Sequence, residues 1–205
     1  MKIKKAIKIS LISLLLLIVL GVLGMVVWSK TGIYPARMVA LSALESTNSV
    51  TVTQNKWITF SPAEEVEKGL IFYPGGLVDP GAYAPILHRI AEEGVLVIIV
   101  PMPLNLAILN PGSANSVIND YPQISEWILA GHSLGGAAAA IFAENNPTKI
   151  DAIAFWDSFP PNSSDLSDNA ISQLFLSLVP RTISQTLKTL MTKGFYYQEI
   201  QSLSP

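Results

Sequence analysis

Trp127-Ile128-Leu129-Ala130-Gly131-His132-Ser133-Leu134-Gly135-Gly136-Ala137-Ala138-Ala139-Ala140 decides how this chain reads. Trp127 to Ala130 is a short apolar run stopped by glycine, the pattern of a strand buried on both faces. The small residues from Leu134 to Ala143 predict a helix that lies close against a sheet. Between them stands Gly-x-Ser-x-Gly, in the strand-turn-helix setting that a nucleophile elbow requires. Ser133 must then occupy a strained turn that lifts its hydroxyl clear of the sheet, at a cost of about 1–3 kcal/mol. Gly131 and Gly135 leave room for backbone to approach, and the helix N-terminus turns a partial positive charge toward the hydroxyl. Ser133 is the candidate nucleophile. His132 is read as a structural part of the elbow, its ring directed away from the neighbouring hydroxyl. The competing reading is a serine in an ordinary βα loop, binding an anion at the helix N-terminus.

Upstream, Val50 to Phe60 alternates β-branched and polar residues, as strands do. Leu70-Ile71-Phe72-Tyr73 and Val95 to Val100 are further apolar runs, stopped by Pro74 and Pro101. Between these runs, Tyr83, Ile86, Leu87 and Ile90 recur at helical spacing, and Gly94 ends the helix. Downstream, Ile150 to Trp156 is another strand. Buried strands alternating with helices of about ten residues specify an α/β fold, a mostly parallel sheet with helices on both faces.

The N-terminus has a different character. Ile9 to Ser29 is free of charge and dominated by Leu, Ile and Val, and at about 1.5 Å per residue it reaches roughly 30 Å, enough to span a bilayer. Lys2, Lys4, Lys5 and Lys8 precede it and only Lys30 and Arg37 follow closely, which predicts a cytoplasmic N-terminus and a domain on the outer side. Met25 to Trp28 offers bulky residues where a signal peptidase needs small ones, so the segment reads as a retained signal-anchor. The expected organisation is a transmembrane signal-anchor at 1–30, a core at 31–170 and a tail at 171–205.

Composition narrows the function. The 205 residues include no cysteine, which excludes disulfides, zinc-thiolate sites and a cysteine nucleophile. The charged fraction of 14% and the net charge of −2 argue against binding nucleic acid by phosphate neutralisation. Asp151, Asp157, Asp165 and Asp168 lack ligand-like pairing, so no metal is expected, and no Gly-x-Gly-x-x-Gly loop points to a nucleotide cofactor. No cofactor is expected at all.

An acyl-transfer site needs backbone N–H donors for the oxyanion. Leu134, after the nucleophile, supplies one, and the loop Pro74-Gly75-Gly76-Leu77 supplies a second from Leu77 or Gly76. Tyr73 to Pro80, Ala82 to Pro85, Val100 to Leu106 and Gly131 to Gly136 together resemble the α/β-hydrolase superfamily. They look like a bacterial, membrane-anchored branch similar to dienelactone hydrolases and carboxylesterases. The resemblance covers about Val50 to Pro160. It implies hydrolysis of a small-molecule acyl ester or thioester through an acyl-serine, with an acid and a histidine after the serine in chain order.

That order is broken. The two histidines, His88 and His132, both precede Ser133. His88 reads as a helix-surface residue and Asp157 as a strand end. From about Ile171 the alternating pattern stops, so 171–205 is expected to be an aberrant tail in place of the acid and histidine region, leaving a bare sheet edge covered by improvised helices at Leu174 to Leu178 and Ile183 to Met191. Degenerate codons offer a hypothesis. Regrouped by one nucleotide, those for Leu178 to Thr182 can spell Gly-Thr-Gln-Asp, preceded by Pro-Val-Val-Ser-Ile-Ser, a strand and its acid. The gene's third codon letters decide it, and letters that forbid the regrouping end the idea. Without a base, the chain is expected to be a weak or inactive serine hydrolase; the alternative is a non-catalytic α/β-hydrolase-like binding protein.

Overall fold

The apolar N-terminal run forms a single helix, α1 (Lys2–Thr31). Its segment Ile7–Thr31 has a mean hydropathy of 2.9 and is long and apolar enough to cross a membrane. The structure, a computed structural model, describes residues 2–166 and 171–176. Contacts divide the chain into Met1–Ile33 and Tyr34–Pro205, close to the boundary after residue 30 that the charge pattern suggests.

The second unit opens with a short helix, α2 (Met38–Ser42), and a hairpin, β1 (Val50–Gln54) and β2 (Ile58–Pro62). It continues through β3 (Lys68–Tyr73), α3 (Ala84–Glu92), β4 (Leu96–Ile99), α4 (Ala114–Asp120), β5 (Glu126–His132), α5 (Leu134–Asn145), β6 (Ala152–Trp156) and β7 (Ser172–Leu176). Among the described residues these strands form one sheet in the order β1-β2-β4-β3-β5-β6-β7. β1 and β2 are antiparallel, and the five strands from β4 to β7 run parallel. The sequence run Val50 to Phe60 is therefore two strands, because Asn55 to Trp57 turns the chain back, its Asn55 N–H donating to the Trp57 carbonyl.

Strand alternation sorts the core into two layers. Ile71, Tyr73, Leu129, Ile153 and Phe155 face Val117 of α4 and Ala139 and Phe142 of α5. Leu70, Phe72, Ile128, Ala130 and Ala154 face Leu87 and Ile90 of α3 on the other side. The alanines of α5 matter here: Ala138, Ala139, Ala140 and Ala143 are all fully buried, and their small side chains let the helix axis approach the sheet. Helices on both faces and a mostly parallel sheet are as the sequence predicts.

The expected boundary at 170 is too early. Ser172 to Leu176 pairs with β6 in parallel register, Ala152 opposite Ser172 and Trp156 opposite Leu176, so the flank beyond β6 carries a strand rather than an improvised helix over Leu174. Ser172 and Gln173 dilute the apolar content of this strand, so its sequence carries no clear strand pattern. Ile171 and Leu174 are nonetheless buried, and Phe175 stacks on Phe155 with ring centroids 5.0 Å apart. The remainder of the expected tail, including Leu178 to Thr182 with the regrouped acid motif and Ile183 to Met191, lies outside the described residues, as does Asp168. Helix α4 is a second element outside the sequence expectations.

Candidate active site

Ser133 sits between β5 and α5 with φ 50° and ψ −120°, and it is exposed. The bend expected from the sequence is present, and the residue is not folded into the core. Its N–H donates to the Trp156 carbonyl at 3.0 Å, and its carbonyl accepts from the Gly136 N–H at 3.0 Å and from Ser158 Oγ at 2.7 Å. These bonds hold the unusual backbone from three sides.

The glycines around it have no room for a side chain. A Cβ on Gly131 would meet the Gly136 nitrogen at 2.5 Å, and one on Gly135 would meet the Pro74 oxygen at 2.5 Å and collide with the Tyr73 carbonyl. One on Gly136 would strike Ser158 Cβ at 2.5 Å. Gly131 and Gly135 are needed for contact rather than for φ: α5 starts flush against the ends of β3 and β5.

Strain gathers at this edge of the sheet. Among the described residues, the non-glycine positions with positive φ are Leu77 at 55°, Leu104 at 52°, Asn105 at 56°, Ser133 at 50° and Asp157 at 42°. They occupy the loops after β3, β4, β5 and β6. Each costs on the order of 1–3 kcal/mol, and they converge on the carboxyl ends of adjacent parallel strands, where open α/β sheets bind ligands. A depression lined by Glu64, Glu65 and Glu67 lies at the opposite, amino ends of the strands and includes no elbow residue.

In the loop after β3 the two expected N–H groups differ in their hydrogen bonds. The Leu77 N–H is already engaged, donating to the Asn105 carbonyl at 2.8 Å, because its left-handed backbone turns it toward the β4 loop. The Gly75 N–H donates to the Tyr83 hydroxyl at 2.9 Å. Gly76, between them, has an N–H with no hydrogen-bond partner among the described residues, and its Cα faces Leu134, whose Cδ2 would lie 3.2 Å from an added Cβ. Leu134 is the first residue of α5, so its own N–H has no acceptor within the helix. The two unengaged N–H groups belong to residues in contact across the loop.

His132 is the last residue of β5. Its Nδ1 lies 2.9 Å from the Tyr83 hydroxyl and so is turned to the β3 loop. The same Tyr83 oxygen accepts from the Gly75 N–H at 2.9 Å. Burial holds the His132 pKa below the ordinary histidine value, partly offset by the negative charge of Asp157. Burial likewise pushes the Tyr83 hydroxyl upward, with the Gly75 bond pulling back. Asp157 follows β6 and is exposed.

His88 differs from expectation. It is 6% exposed, with Nδ1 2.8 Å from the Ala43 carbonyl and its ring edge-on to Phe60. Its place beside Arg89 suggests a solvent face, but the segment following α2 packs over it, and sequence periodicity within α3 carries no sign of that cover. Among the described residues neither imidazole hydrogen-bonds Ser133, and no group of acidic and histidine side chains is arranged to hold a metal ion.

A family model described as "Alpha/beta hydrolase family" matches residues 69–197, more than half of the chain. No curated protein sequence matches. Among solved structures, the Francisella virulence factor BioJ shares the fold, with a TM-score of 0.53 at 11% identity over 78% of this chain and 77% of its own. TT1662 from Thermus thermophilus has a TM-score of 0.49 at 10% identity, covering 70% of this chain and 99% of its own. A thermostable carboxyl esterase from Bacillus coagulans gives 0.43 at 14% identity, covering 57% of this chain and 47% of its own, so this chain spans less than half of that enzyme.

Proposed function

From the premise that this chain belongs to the alpha/beta hydrolase family, we propose that it is a membrane-anchored serine hydrolase of carboxylic esters or thioesters, weak or inactive as written. The observation that carries this reading is the exposed Ser133 at φ 50° between β5 and α5. Ser133 Oγ attacks the acyl carbon, the alcohol or thiol leaves, and water releases the acid from the acyl-serine. The oxyanion that forms is received by the N–H groups of Leu134 and Gly76, the first reinforced by the N-terminal dipole of α5. The apolar helix Ile7–Thr31 supplies the anchor, with the domain on the outer side by its charge pattern.

The weak step is proton removal. Among the described residues neither imidazole hydrogen-bonds Ser133, so no histidine takes the Oγ proton, which passes to the leaving alcohol or thiol as the acyl–oxygen or acyl–sulfur bond breaks. An oxyanion hole and binding alone leave about 10³–10⁴-fold over water. The lack of an imidazole hydrogen-bonded to Ser133 among the described residues favours a second reading, a scaffold that binds an acyl compound without turning it over.

Hydrolysis of a p-nitrophenyl ester by the purified full chain, with Ser133→Ala beside it, tests both. Slow turnover lost in S133A supports the hydrolase. Robust serine-dependent turnover overturns the inactivity, turnover unaffected by S133A removes Ser133 from the mechanism, and ligand binding that survives S133A without turnover favours the scaffold.

A further inference from the structure

Tyr34, Met38, Val39 and Leu41 present large apolar side chains to solvent, with exposures of 70%, 80%, 75% and 44%. Ala40 alone among the residues of this short helix is buried. A soluble surface scatters such residues singly; here they follow one another within one segment. The segment also lacks acid: from Ile9 to Leu44 the only charges are Lys30 and Arg37, and the first acidic residue in the chain is Glu45. Exposed aromatic and aliphatic side chains flanked by cations are the composition of the membrane interface.

Chain connectivity names the occupant. Only Gly32 and Ile33 separate Tyr34 from Thr31, the last residue of the apolar span. Three residue steps reach about 11 Å at most, while the headgroup layer is roughly 5–8 Å thick on each side of the hydrocarbon. If Ile7–Thr31 spans a bilayer, Tyr34 begins at its interface.

The same residue is tied to the loop that carries the unengaged Gly76 N–H. The Tyr34 N–H donates to the Leu77 carbonyl at 2.7 Å, and the Asp79 N–H donates to the Tyr34 carbonyl at 3.0 Å, a short parallel bridge between Tyr34 and Val78. We propose that Tyr34, Met38, Val39 and Leu41 dock on the lipid bilayer, and that through this bridge they hold the loop after β3 at the membrane surface. The inference deepens the membrane-anchored reading and rests on it.

The chain has no cysteine, so a single introduced thiol carries a label uniquely. The full chain is reconstituted in phosphatidylcholine vesicles with an environment-sensitive fluorophore on Met38→Cys, Val39→Cys, the exposed Glu64→Cys as a surface reference, or Leu17→Cys within the span. Doxyl-labelled lipid is the quencher. The expected result is strong quenching at L17C and quenching at M38C and V39C at least about threefold above E64C, as for side chains at an interface. Quenching at L17C with M38C and V39C no different from E64C overturns the docking surface and leaves the anchor standing. Absence of quenching at L17C removes the anchor, and the docking surface with it. A blue shift at M38C without lipid quenching assigns the patch to a second copy or a protein partner and likewise overturns the proposal.

Discussion

The Tyr83 hydroxyl stands 2.9 Å from His132 Nδ1 and 2.9 Å from the Gly75 nitrogen. A single phenol thus joins the residue before Ser133 to the loop that carries the unengaged Gly76 N–H. The contact lies on the α3 side of the sheet, where Tyr83 also packs on Phe72 with ring centroids 4.6 Å apart. The elbow and the glycine loop are one mechanical unit.

Removing that hydroxyl separates them. Tyr83→Phe keeps the ring and leaves the Gly75 N–H and His132 Nδ1 unpaired at a part-buried site. The expected loss of stability is about 1–3 kcal/mol, read from urea unfolding of the full chain in detergent. An unchanged midpoint would show that water replaces the hydroxyl without cost.

The depressed pKa of His132 has a pH signature. Unfolded, the ring titrates near 6.5; folded, burial keeps it neutral to lower pH. The unfolded chain therefore binds more protons between those values, and by linkage stability is full above about 6.5 and falls as pH drops through that window. Melting temperature is expected to decline from pH 7.5 to 5.0, and to decline less in His132→Asn. Equal slopes in the two proteins would assign the acid sensitivity to other groups.

Glycine positions separate contact from conformation. Gly135→Ala puts a methyl group against the Tyr73 and Pro74 carbonyls, which cannot yield without parting α5 from β3, so this variant is expected to fail to fold. Gly112→Ala meets nothing within 4 Å and is expected to change stability by less than about 0.5 kcal/mol. Circular dichroism melts of the two proteins decide the matter.

Ser133 pays for its position in backbone strain. Ser133→Gly removes the Cβ from a φ of 50° and is expected to raise stability by about 1 kcal/mol, while abolishing labelling by a fluorophosphonate probe. A variant that loses labelling and stability together would place the strain elsewhere.

How much of this was legible in the sequence depends on the range of the contacts involved. The run Trp127 to Ala140 contains its own strand, bend and helix, because apolar content, two flanking glycines and an alanine helix act over neighbouring residues. The same holds for Leu70 to Gly76 and for the apolar span. What escaped was set by partners far along the chain. Phe175 and Leu174 look like a composition break until β6 supplies a surface to pair with. His88 looks solvent-facing until the segment after α2 covers it.

The candidate site divides in the same way. Residue order alone determined that Ser133 stands at an elbow and that neither histidine follows it, since both are properties of spacing. Only the tertiary structure shows that the Leu77 N–H is engaged while the Gly76 N–H is not, because Asn105 captures the first across a loop from another strand. It also decided that the exposed segment after the span is bridged to the glycine loop at Tyr34 and Val78, a hydrogen-bond register that no local pattern encodes.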